Sequence, residues 1–100
     1  MNKIIQQLTE IGLQAIEVEN AQIAVRIARS ELEYAYQRFR VDVLGDDPDY
    51  GEYTYIERDS GDWDAMMRYS KPQYEALVKA RATLKNAKRR LSRTIKKAML

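Results

Sequence analysis

The sequence has no cysteine and no histidine. Without cysteine there is no disulfide, no thiol nucleophile and no thiolate metal site. Without histidine the commonest general base and the commonest metal ligand are both missing. Any catalysis would rest on carboxylates, lysine, tyrosine or hydroxyls, which weighs against an enzyme. Glycine and proline are scarce, four and two in 100 residues, so little interrupts a helix. No apolar run reaches the roughly eighteen residues that a membrane-spanning helix needs. The opening MNKIIQQLTEIG is broken by Gln6, Gln7 and Glu10 and has no secretory apolar core. These absences lead to the expectation of a non-enzymatic, cytoplasmic chain with no membrane contact. Walker loops, helix-turn-helix signatures, zinc spacings and catalytic elbows are also missing, and neither a cofactor nor a resident metal is expected.

What is present is helical periodicity. Up to residue 44 there is no proline and one glycine, and apolar residues recur every seven positions at Ile4, Ile11, Val18, Val25, Leu32 and Phe39. Ala21, Ala28 and Ala35 form a row beside them. Unbroken heptad phase predicts one long helix over about 2–44, ended by Gly45 and Pro48. Residues 71–99 repeat the pattern with Leu77, Leu84, Leu91 and Ala98, and with the companion row Ala80, Ala87 and Thr94. Ser70, Pro72 and Gln73 have the order of a capped helix start. A short helix over 62–69, capped by Asp62, is expected to pack Trp63, Met66 and Met67. Between the helices lies an acidic aromatic connector, 45–61, whose EYTYIE (residues 52–57) is the one plausible strand.

The expected fold is therefore all-α, or α with a minimal β-ribbon. It is an antiparallel coiled-coil hairpin of two long helices with a short third one, in a single domain. Setting the alanine rows against each other pairs Ala35 with Ala80, Ala28 with Ala87 and Ala21 with Thr94, and brings Val25 near Leu91 and Val18 near Ala98. In that register the last helix stops short, and Ile4, Ile5, Leu8, Ile11 and Leu13 overhang. Ile16, Ile23 and Ile27 lie on another face of helix 1, and apolar residues on two sides of a helix imply two partners. A homodimer through Ile4, Leu8, Ile11, Leu13, Ile16, Ile23 and Ile27 is the expectation. The competing expectation is that Trp63, Met66 and Met67 fold back over this face.

Net charge is +2, but its distribution is uneven. Residues 1–44 carry five basic and six acidic groups, residues 45–70 two and eight, and residues 71–100 ten and one. The predicted register sets Glu31 and Glu33 near Lys85 and Arg81, and Glu19 near Lys96. It leaves Arg26, Arg29, Lys88, Arg89, Arg90 and Arg93 as an unpaired cationic band. Such a band suits phosphates or an acidic protein. Aromatics and Asn/Gln that would read bases are lacking, so nucleic-acid binding there would be blind to sequence.

The stretch DDPDYGEYTYIERDSGDWD (46–64) is the other feature that asks for a ligand. Asp46, Gly51 and Glu57 match three EF-hand positions, but Pro48 and Tyr50 stand where side-chain carboxylates are needed, so a standard calcium loop is excluded. A magnesium site from Asp47, Asp49, Asp62 or Asp64 has nothing to fix its geometry. Turn chemistry explains the Asp, Gly and Pro content; it leaves Tyr50, Tyr53, Tyr55 and Trp63 unexplained. Aromatics anchor interfaces, and acids around them complement a cationic groove. The expected partner-binding set is Asp46, Asp47, Asp49, Tyr50, Glu52, Tyr53, Tyr55 and Trp63, directed at a protein with a basic groove.

In general character the chain is short, helical, free of Cys and His, and segregated in charge. In this it is similar to small accessory proteins of bacteriophages that inhibit host enzymes. That resemblance implies an inhibitor of a nucleic-acid-handling host protein, acting as a nucleic-acid mimic. The alternative is a sequence-non-specific nucleic-acid-binding protein acting through the basic last helix.

Overall fold

The computed structural model describes residues 2–99. Helix α1 runs over Asn2–Asp42, a 3₁₀ turn over Pro48–Tyr50, α2 over Gly61–Tyr69 and α3 over Lys71–Ala98. Among the described residues there is no strand, and no helix is long and apolar enough to cross a membrane. The fold is all-helical, built on a pair of long helices.

Helix α1 ends at Asp42, with Val43 and Leu44 in a turn rather than in the helix. Gly45 then takes φ +79°, a conformation that costs a glycine nothing, and the chain reverses so that the Asp46 N–H reaches the Arg40 carbonyl at 2.9 Å. Along α1 the buried positions are Ala21, Val25, Ala28, Leu32, Ala35 and Phe39. Half-buried Gln7, Ile11, Gln14 and Val18 continue the same stripe toward the N-terminus. On α3 the stripe is Leu77, Ala80, Leu84, Ala87, Leu91, Thr94 and Ala98. Both stripes follow the spacing of three and four that a coiled-coil seam requires.

The chain forms two compact units. One joins α1 up to Ile27 with α3 from Val78 onward. Here the helices are antiparallel, but in a different register from the alanine-on-alanine one. Glu17 lies 3.5 Å from Arg90, and Lys3, Gln7 and Glu10 share a cleft with Arg93, Thr94 and Ala98. Thr94 is therefore beside Glu10 rather than Ala21, and Ala98 beside Gln7 rather than Val18. This register brings Val18 level with Ala87 and Ala21 level with Leu84. Small residues thus meet large ones across the seam, which fills the space that facing alanines would leave open. The overhang shrinks to the first turn: α3 ends at Ala98, level with Gln7, and Ile4, on the same heptad row as Ile11, is exposed beyond that end. Ile11 turns into the α3 seam and leaves the expected dimer set, whereas Leu8 and Leu13 are exposed because they point away from it.

The second unit is Ala28–Leu77. Its core is Phe39, Ile56 and Met66, with Tyr36, Leu44, Trp63 and Ala65 packed against it. Phe39 and Tyr69 meet edge to face, centroids 5.6 Å apart. Helix α2 is capped by Ser60, whose hydroxyl accepts from the Trp63 N–H at 3.2 Å, so Asp62 is inside the helix rather than its cap. At the α2–α3 junction Ser70 N–H bonds the Met66 carbonyl and Tyr74 N–H bonds the Ser70 carbonyl. The hydrogen-bond ladder therefore continues past Pro72, which has no N–H to contribute and marks the joint. The fully buried Ser70 hydroxyl donates to the Met66 carbonyl at 2.8 Å, so it closes the joint instead of capping α3.

Candidate interaction loop and basic cleft

The connector is an ordered loop held from beneath. Asp46 is its anchor: its carboxylate accepts the Thr54 backbone N–H at 2.7 Å and the Thr54 hydroxyl. Arg40 Nε donates to the Thr54 carbonyl at 3.0 Å, and its guanidinium also reaches the Tyr36 carbonyl. Thr54 thus has both backbone groups and its hydroxyl engaged by helix α1 and its exit turn. This is why EYTYIE does not become a strand: the backbone partner that a ladder would supply is replaced by side chains. The Thr54 hydroxyl, then its N–H and the charge of Arg40, hold the Asp46 carboxyl below the usual aspartate range.

Inside this closure Asp47 caps the 3₁₀ turn, accepting from the Asp49 N–H at 2.9 Å. Gly51 at φ +75° reverses the chain. The loop presents Tyr50 and Tyr55, each 85% exposed, with Asp47, Asp49 and Glu52 exposed around them and Tyr53 less so. Two members of the expected set have other duties. Trp63 is half-buried against the Phe39–Ile56–Met66 core, because α2 begins at Gly61 and turns the indole inward. Asp46 is consumed as the loop anchor. Ile56 is the residue that ties the loop to the core, since it is buried while its neighbours are exposed. Arg40 and Thr54 were not among the expected site residues. The signal for Asp47 was its position before Pro48, a turn-initiating pair; nothing in the sequence marks Thr54 as the partner of Asp46.

On α3, Arg89, Arg90, Arg93 and Lys96 converge on one shallow cleft with Asn86 and Ser92. The cationic band is less free than expected. Arg26 reaches Glu19 at 3.6 Å and Arg90 reaches Glu17 at 3.5 Å. The remaining ion pairs among the described residues are Arg38–Asp42 and Lys71–Glu75; none of the pairs expected from the earlier register forms. All are exposed, where solvent screening and side-chain entropy leave an ion pair little net stability. Lys88 and Arg29 are exposed and do not line the cleft, and Arg29 belongs to the second unit. Among the described residues no three Asp or Glu side chains gather closely enough to hold a metal ion. No protein-family model, curated protein or solved structure matches this chain.

Proposed function

We propose that this chain is a non-enzymatic protein-interaction module, an inhibitor-type nucleic-acid mimic whose loop enters a cationic groove of a nucleic-acid-handling protein. The contact residues are Asp47, Asp49, Tyr50, Glu52, Tyr53 and Tyr55. The observation that carries this reading is the pairing of order with exposure. Tyr50 and Tyr55 are open to solvent on a backbone tied down by Asp46, Thr54 and Arg40. A loop that is already ordered loses little conformational entropy on binding, and tyrosine flanked by carboxylates suits a basic, aromatic-lined groove. In this reading the module works as a homodimer joined through the exposed apolar face of α1, which Leu13, Ile16, Ile23 and Ile27 leave uncovered.

Capture of proteins from a cell extract tests the loop. Wild-type chain is expected to retain a nucleic-acid-binding protein that duplex DNA competes away. The variant Asp47→Lys/Asp49→Lys/Glu52→Lys is expected to retain none while keeping its helical circular-dichroism signal. Equal retention by both chains would remove the loop from consideration. For the dimer, light scattering across a concentration series should give a two-chain mass; a one-chain mass at every concentration rejects it.

The convergence of Arg89, Arg90, Arg93 and Lys96 supports a second reading, phosphate binding by the α3 cleft. It requires retardation of plain duplex DNA that weakens steeply as salt rises. No retardation at low salt eliminates it.

A further inference from the structure

We infer that two copies of α1 associate parallel and in register, with Asn20 facing Asn20 across the two-fold axis. This rests on the dimer reading above and adds its orientation, which the exposed face alone does not specify. Leu13, Ile16, Asn20, Ile23 and Ile27 follow one another at spacings of three and four along one unbroken helix. That is a second coiled-coil row, and it lies on the side of α1 away from the α3 seam: all five residues are exposed, whereas Ala21 and Val25 are buried. No charged residue interrupts it.

Asn20 is the informative member. A primary amide in an apolar row is costly unless its donors and acceptor are met. An identical amide can do this, donating and accepting at once, and a single asparagine in such a row is a known way of selecting register and partner number. In a parallel pair each row position meets its own equivalent, so Asn20 meets Asn20. In an antiparallel pair the two kinds of row position alternate, and Asn20 would meet Ile16 or Ile23 with its amide stranded.

The flanking charges agree. In the parallel register Arg26 lies beside the partner copy's Glu31, Glu19 beside its Ala24 and Gly12 beside its Glu17, so no like charges meet. The antiparallel setting that puts Asn20 against Ile23 matches Glu19 with Arg26 but sets Glu10 against Glu31. Within one chain Arg26 already reaches Glu19. Both groups are well exposed there, so exchanging that pair for an intermolecular one costs little.

The absence of cysteine makes cross-linking a clean test. Ile16→Cys and Ile27→Cys, which face each other when Asn20 is set antiparallel against Ile23, are prepared separately, oxidised mildly alone and as a mixture, and weighed by light scattering under reducing conditions. The expected result is a two-chain mass, a disulfide-linked dimer from each variant alone, and no 16-to-27 link in the mixture. A two-chain mass with only the 16-to-27 link overturns the parallel orientation and leaves the dimer standing. A one-chain mass overturns both. Asn20→Leu separates the role of the asparagine: association should tighten and the 16-to-27 link should appear beside the homotypic ones. Weakened association with only homotypic links would overturn that role.

Discussion

The Asp46 carboxylate is negative when it accepts the two donors of Thr54, so the closed loop is coupled to its charge. Because its folded value lies below the usual aspartate range, its contribution is present above the unfolded value. It is lost as pH falls through the lower, folded one. Replacing Thr54 with Val removes the hydroxyl, which is the largest cause of the shift. The Asp46 carboxyl, followed by carbon NMR, should then titrate closer to an ordinary aspartate, and an unchanged midpoint would show that Thr54 is not its clamp. Phe39 and Tyr50 make the opposite contrast. Phe39 is 1% exposed at the centre of the loop-side core, so Phe39→Ala should cost about 3–5 kcal/mol in urea unfolding. Tyr50→Ala and Tyr55→Ala remove side chains that support nothing, and stability should stay within about 0.5 kcal/mol while partner retention falls. A large stability loss from either tyrosine would mean that it is packed rather than presented.

At the level of whole elements, glycines divide by backbone conformation. Gly12 sits in helical α1 with nothing within 4 Å of an added Cβ. Gly12→Ala should therefore stabilise by roughly 1 kcal/mol, seen as a higher thermal midpoint at fixed chain concentration. Gly45→Ala should destabilise instead, because φ +79° strains any residue with a Cβ. The helices themselves were legible in the sequence because heptads and the scarcity of Gly and Pro leave little else to form. Their register was not. Rows that repeat every seven residues remain in phase after many shifts, and the winning one is set by size: Ala21 comes level with Leu84 and Val18 with Ala87, which a search for matching alanines passes over. The loop failed for a related reason. Alternation in EYTYIE describes a strand, but a strand needs a neighbouring backbone, and here Thr54 finds the Asp46 side chain first. The tyrosines and acids of the candidate site could be picked out by composition. Trp63 could not be separated from them, because only the start of α2 at Gly61 decides that its indole faces the core.

Across the molecule, acidic and basic groups lie on different segments, and that separation allows a second mode of association between copies. The acidic loop of one copy can dock on the Arg89–Arg90–Arg93 cleft of another, building assemblies that have nothing to do with α1. Salt separates the two modes. At about 1 M ionic strength charges are screened beyond roughly 3 Å, so loop-to-cleft docking should disappear. An apolar α1 pair should keep its two-chain mass, since burying Leu13, Ile16, Ile23 and Ile27 does not depend on charge. Light scattering at low and high salt is thus expected to show dimers at both, with larger species confined to low salt. Charge reversal at Asp47 and Asp49 should remove those larger species and leave the dimer. If instead the two-chain mass itself falls to one chain as salt rises, the contact is electrostatic. The isoleucine face of α1 would then have to be covered by something other than a second copy.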